Sequence, residues 1–161
     1  MKRIVSVFTL VMMALALMIT ACSGSSENEK QVTKSAAEIY TAVSEAGKLE
    51  AMTAVPSRDF SDVYGIDATM IEDSAWYMSE NPSLNADEVA IFKLSSEEYA
   101  KTLATLLKER IDRQLNVAET YSPEEAAKIK AAEVVTAGNW VYYCIGTENA
   151  AMMNVLRAEI G

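Results

Sequence analysis

The side chains that carry most protein chemistry are sparse in this sequence: histidine is absent, and cysteine occurs twice, at Cys22 and Cys144. Without an imidazole there is no Ser-His-Asp or Cys-His catalysis, and the commonest metal ligand is missing. Cys144 lies within an apolar stretch, Trp140–Gly146, with no activating neighbour, which predicts an inert buried thiol. Carboxylates gather at Asp59, Asp62, Asp67, Glu72 and Asp73. Calcium needs about six to eight oxygens, usually at fixed spacing around a glycine turn, and that spacing is not present. No pair of acids stands out for glycoside hydrolysis, and there is no glycine-rich phosphate loop. The sequence therefore assigns no catalytic residue, no metal site and no cofactor. Aromatic residues are the other candidates: Trp76, Tyr77, Trp140, Tyr142 and Tyr143 alternate along stretches that read as strands. They would either pack a core or, on an uncovered sheet face, offer a stacking surface to a glycan or a protein partner. On such a face Trp140 and Tyr142 are the expected contact residues.

The most informative chemistry is at Cys22. Lys2 and Arg3 precede an apolar run from Ile4 to Ile19. As a helix that run would reach about 24 Å, short of a hydrocarbon core of about 30 Å. A basic start, a short apolar centre and small residues at the far end describe a cleaved export signal. The run ends in Ile19-Thr20-Ala21-Cys22, which resembles the lipobox of bacterial lipoproteins. The resemblance implies cleavage after Ala21 and a diacylglycerol thioether on Cys22, which becomes the mature N-terminus. Stable attachment then comes from more than one buried acyl chain. The expected partner of this end of the chain is a membrane, at its extracytoplasmic face.

Loss of residues 1–21 leaves 140 residues, enough for one domain with its own core. It also removes Lys2 and Arg3 and no acid, so the formal charge moves from −9 to −11. A chain this acidic argues against nucleic acid as a partner, because phosphates need a positive footprint. With Cys22 acylated, Cys144 has no disulfide partner, and stability must come from packing.

The elements that would position these residues follow from periodicity. Residues 22–34 contain a Ser/Gly/Glu/Lys-rich tract and read as a tether, with a mean span of about 20 Å if flexible. Ser35 and Glu38 have capping-box spacing and open a helix with Ile39, Ala42, Val43 and Ala46 on one face, ending near Gly47. Met52–Arg58 reads as loop or short strand, and Phe60–Tyr64 as one helical turn stopped by Gly65. Ser74–Glu80 and Asp87–Leu94 alternate as strands, and the connector between them is too short for a crossover helix. Ser95 and Glu98 open the longest helix, with Tyr99, Leu103, Leu106, Leu107, Ile111 and Leu115 as its apolar stripe. Ser122-Pro123-Glu124-Glu125 starts a shorter one. Glu133–Thr136 and Trp140–Gly146 flank a Gly138-Asn139 hairpin turn. The second of these strands is apolar on both sides, which suggests cover on both faces. A last helix begins at Thr147 or Glu148.

The predicted fold class is α+β: a single antiparallel sheet of about four strands in two hairpins, with helices packed on it, in the order α-β-β-α-α-β-β-α. The predicted domains are a lipoprotein signal peptide (1–21), a flexible tether (22–34) and one α+β domain (35–161).

Several stretches together resemble a known family. These are Asp87–Lys93 leading into a charged amphipathic helix, Tyr121–Glu125, Glu133-Val134-Val135, and Gly138–Tyr142. They are similar to the domain of unknown function DUF4358, found in lipoproteins of Gram-positive, clostridia-like bacteria, over most of residues 35–160. The resemblance implies export, lipid attachment and a Gram-positive setting, and it brings no activity, ligand or catalytic residue. The leading expectation is a non-catalytic binding or interaction module of the cell envelope, with an envelope protein or a glycan as partner. The alternative is an accessory subunit or a carboxylate-based enzyme of envelope glycan modification, using Asp67, Glu72 or Asp73.

Overall fold

The computed structural model describes residues 32–161. The segment expected to be an export signal, Cys22 and the expected tether up to residue 31 lie outside the described residues. Helix α1 (Ala36–Gly47) starts at Ser35, whose Oγ accepts from the Glu38 N–H while the Glu38 carboxylate accepts from the Ser35 N–H, so the capping box forms. The helix does end at Gly47, but the left-handed residue after it is Lys48 (φ 51°). Gly47 has a different task. A Cβ there would lie 2.6 Å from the sulphur of Met152, so glycine allows the last helix to pack closely.

Strand β1 (Met52–Ala54) follows, then α2 (Ser57–Tyr64), closed by Gly65 at φ 65°. A 3-10 turn (Ala68–Met70), capped by Asp67, leads into β2 (Ile71–Ser79) and β3 (Glu88–Leu94). Helix α3 (Glu97–Tyr121) is capped by Ser96, one residue later than the capping-box spacing predicts, with Ser96 Oγ accepting from the Tyr99 N–H. The register of the buried stripe explains the shift. Ala100 and Ala104 face inward with Leu103, Leu107 and Ile111, and Tyr99 is exposed. Small residues let α3 approach the sheet where the larger Tyr99 would not fit. Helix α4 (Pro123–Lys130), strands β4 (Val135–Ala137) and β5 (Trp140–Ile145), and helix α5 (Asn149–Glu159) complete the chain. No helix among the described residues is long and apolar enough to cross a membrane.

The fold is α+β with one antiparallel sheet, in the order β1-β2-β3-β5-β4. Five strands form it where about four were expected, because Met52–Ala54 pairs with the outer edge of β2. The two expected hairpins are present. Gly138 has φ 53° and Asn139 does not have positive φ, the pattern of a type II′ turn. The central strands β3 and β5 bury both faces, as the two-sided apolarity of β5 predicts. Ala90, Phe92, Leu94, Val141, Tyr143 and Ile145 point toward α3 and join Phe60 and Trp76 in one core. Val89, Ile91, Trp140, Tyr142 and Cys144 point the other way, beneath α1 and α5. The sheet is therefore covered on both sides.

The two ends of the sheet differ. At one end Asp73, Lys93 and Trp140 stand in register. The described chain enters here: Asp73 accepts from the Ala36 N–H at 2.7 Å, Lys34 pairs with Glu159 at 2.7 Å, and Val32 packs on the α1/α5 core. At the other end Met78, Glu88 and Ile145 stand in register, about 17 Å away along β3.

Candidate functional site

Helix α3 is longer than the sheet is tall. From Glu97 to Ile111 it climbs about 21 Å, the height of the central strands, and residues 112–121 carry it about 15 Å further. Helix α4 and the β2–β3 loop frame this projecting end. Glu125 at the third position of α4 turns its carboxylate to the Ala86 N–H (2.7 Å) and to Lys128 (3.0 Å). Lys128 also reaches Asp87 (3.1 Å) and the side chain of Asn85 (3.0 Å). Burial works against the Lys128 charge, but hydrogen bonds to Glu125 and Asp87 outweigh it and raise its pKa. The loop is thereby fastened to α4, and a groove of about 640 Å³ opens between loop, α3 and α4.

The floor of the groove holds a buried carboxylate. Glu88, only 2% exposed, starts β3 on the α3 side of the sheet. One oxygen accepts from Trp76 Nε1 (2.6 Å) and Tyr143 Oη (2.5 Å), and the other from Arg110 (2.8 Å) and Gln114 Nε2 (3.2 Å). Arg110 also lies 5.3 Å from the centre of the Trp76 ring and donates to Gln114 Oε1 at 2.7 Å. Two strands and one helix thus converge on one charge, with donors for both its oxygens. Such an arrangement holds β2, β3, β5 and α3 in one geometry. A carboxylate so fully occupied is poorly placed to take a substrate proton.

The rim is apolar and open. Leu84 (74% exposed), Val117 (60%) and Tyr121 (83%) line the groove. They are three of the four large apolar side chains that stand exposed among the described residues.

The residues singled out from sequence fall elsewhere. Trp140 and Tyr142 do not stand on an uncovered sheet face, the condition on which they were expected to make contacts: α1 and α5 cover that face, and both rings are buried beneath them. Tyr142 Oη donates to the carbonyl of Gly161 at 2.5 Å, and burial raises its pKa. Cys144 is buried, its pKa pushed up by burial to about 12, with its thiol 3.4 Å from Asn149 Oδ1. The acidic residues do not converge. Asp67 caps the 3-10 turn, Glu72 pairs with Lys93 (2.9 Å), Asp73 holds the start of α1, and Asp59 pairs with Arg58. Among the described residues no group of three or more carboxylates or thiols is arranged to hold a metal ion.

The groove residues were missed because each reads as ordinary surface on its own. The available signal was alternation: Glu88 shares parity with Ala90, Phe92 and Leu94, which places it inward, and Arg110 and Gln114 are one helical turn apart.

No curated protein and no solved structure matches this chain. The model of the Domain of unknown function (DUF4358) matches residues 45–146, a span that runs from the end of α1 through β5 and contains every residue of the groove. The chain belongs to the DUF4358 family.

Proposed function

We propose that this chain is a lipid-anchored lipoprotein at the extracytoplasmic face of the cell membrane, and that it binds a segment of another envelope protein rather than catalysing a reaction. The observation that carries this reading is the concentration of exposed Leu84, Val117 and Tyr121 around one groove. Exposed apolar side chains scattered singly are ordinary, whereas several around one concavity of several hundred Å³ mark a binding surface. Anchorage rests on the lipobox-like Ile19-Thr20-Ala21-Cys22. The chain enters the domain at the end of the sheet opposite the groove, which suits a site held away from the lipid. The reading as a carboxylate-based enzyme has less support, since Asp67, Glu72 and Asp73 each have a local structural partner.

The test has two arms. Mass spectrometry of the mature N-terminus is expected to find acylated Cys22, and Cys22→Ser is expected to move the protein out of the membrane fraction. Cross-linking in intact cells is expected to yield a defined adduct that Leu84→Asp with Val117→Asp abolishes. An unmodified Cys22 would overturn the anchor, and an adduct unchanged by the double substitution would overturn the binding site.

A further inference from the structure

We infer that the groove takes an apolar segment that carries a carboxylate, with its apolar side chains on Leu84, Val117 and Tyr121 and its acid on Arg113. This deepens the binding reading and rests on it. The charged side chains that line the groove are Asp87, Glu88, Arg110, Arg113 and Glu125. Four of them are nearly buried and already engaged: Glu88 with Arg110, and Asp87 and Glu125 with Lys128. Arg113 is different. Its side chain is 65% exposed, and its carboxylate neighbour Glu109, one turn earlier, is 3.9 Å away, at the outer limit of an ion pair. An arginine offers five donors in a planar fork that matches a carboxylate. The charge left for an occupant to meet is therefore positive, on a chain whose overall balance is strongly negative. A cation beside an apolar rim selects an acidic apolar partner and disfavours a basic one.

The occupant is a protein segment rather than lipid. Leu84 and Tyr121 stand out into solvent instead of enclosing a tunnel, so they would leave an acyl chain largely in water. The described chain also enters the domain at the end of the sheet opposite the groove, about 17 Å away along β3, which suits a groove that faces a protein rather than the lipid of the proposed anchor.

The experiment uses the full chain in its own membranes, with photo-reactive p-benzoylphenylalanine at Val117 and, as a control on the α1 face, at Thr41. Adducts from Val117 are digested and sequenced. The expected adduct is a peptide with apolar residues and an Asp or Glu within about one helical turn of the linked site. Its yield should fall about fivefold or more in Arg113→Glu and persist in Arg113→Lys. Replacing the partner's acid by Arg should restore it in the Arg113→Glu background. Adducts to lipid, to glycan, to a second copy of this chain or to a segment without an acid would overturn the inference. So would indifference to Arg113→Glu, or no adduct from Val117. A partner adduct from Thr41 alone would sink the groove and leave the protein a binding module. Failure of that module would show as no adduct from either position.

Discussion

Replacing Glu88 by alanine should be the most destabilising single change on the groove floor. The substitution removes the acceptor of four donors, on Trp76, Tyr143, Arg110 and Gln114, at a position 2% exposed. Removing one member of a buried ion pair costs about 3–5 kcal/mol, because the remaining charge has lost its compensation. The Arg110 side chain is 11% exposed, so water recovers little of this, and about 4 kcal/mol is the expected loss. A domain of this size is stable by about 5–15 kcal/mol, so a quarter or more of the total is at stake. At about 3–5 °C per kcal/mol for this size, the melting temperature should fall by about 15 °C. Glu88→Gln keeps the shape and one acceptor oxygen but brings an amide donor among donors, and about 2 kcal/mol is expected. Joint replacement, Glu88→Met with Arg110→Met, removes both charges and should recover most of the loss, with the thioethers packing on Trp76. Urea and thermal unfolding, followed by tryptophan fluorescence and circular dichroism, measure all three. If Glu88→Ala melted within about 1 kcal/mol of the parent, or if the double variant lost the sum of the two singles, the cluster would not be the tie between sheet and helix described above.

Other outcomes follow from the same structure. Burial pushes Cys144 up to about 12 and raises Tyr142, and the hydrogen bonds to Glu125 and Asp87 raise Lys128. In each case the unfolded chain gives up its proton first, so stability should decline as pH rises above about 9, first through Cys144 and then through the other two. Equilibrium unfolding in urea between pH 8 and pH 11 checks the sign, and stability that held constant or rose over that range would contradict it. The buried thiol should not react with a disulfide reagent at pH 8 in the folded protein and should react on denaturation. Gly47→Ala places a Cβ against Met152 and should cost about 1–3 kcal/mol. Combined with Met152→Ala it should cost less than the sum of the two, since the second change clears the space the first one needs.

Periodicity and caps were good guides where burial alone sets the residue type. The two-sided apolarity of β5 and the capping box at Ser35 both stand in the structure because nothing competes with them. Expectations shifted where packing overrode local preference. Ser96 caps α3 because Ala100 and Ala104, weak hydrophobic signals, face the sheet and turn the helix away from the register that Tyr99 suggests. Met52–Ala54 is too short to show alternation, and it is a strand because β2 presents an open edge to it. The apparent contact pair Trp140 and Tyr142 is core because the α1 and α5 stripes need a sheet face to bury against, and this is the face they take.

The groove is a harder case, since no one stretch encodes it. Its floor joins an acid on a strand to an arginine 22 residues later in the chain on what reads as the polar face of a helix, and neither residue is unusual alone. What does bear on it is a mismatch of lengths. A helix of 25 residues rises about 36 Å, while the seven-residue strand before it spans about 20 Å, so the helix must project beyond the sheet. A projecting helix end loses its apolar partner, and its sequence should turn polar unless something else covers it. Here it keeps Leu115, Val117 and Tyr121. Leu115 packs against the core, while Val117 and Tyr121 remain in the open beside Leu84. That retention of apolar residues past the end of the sheet is the feature a purely structural helix does not need, and it is why the occupant is expected there.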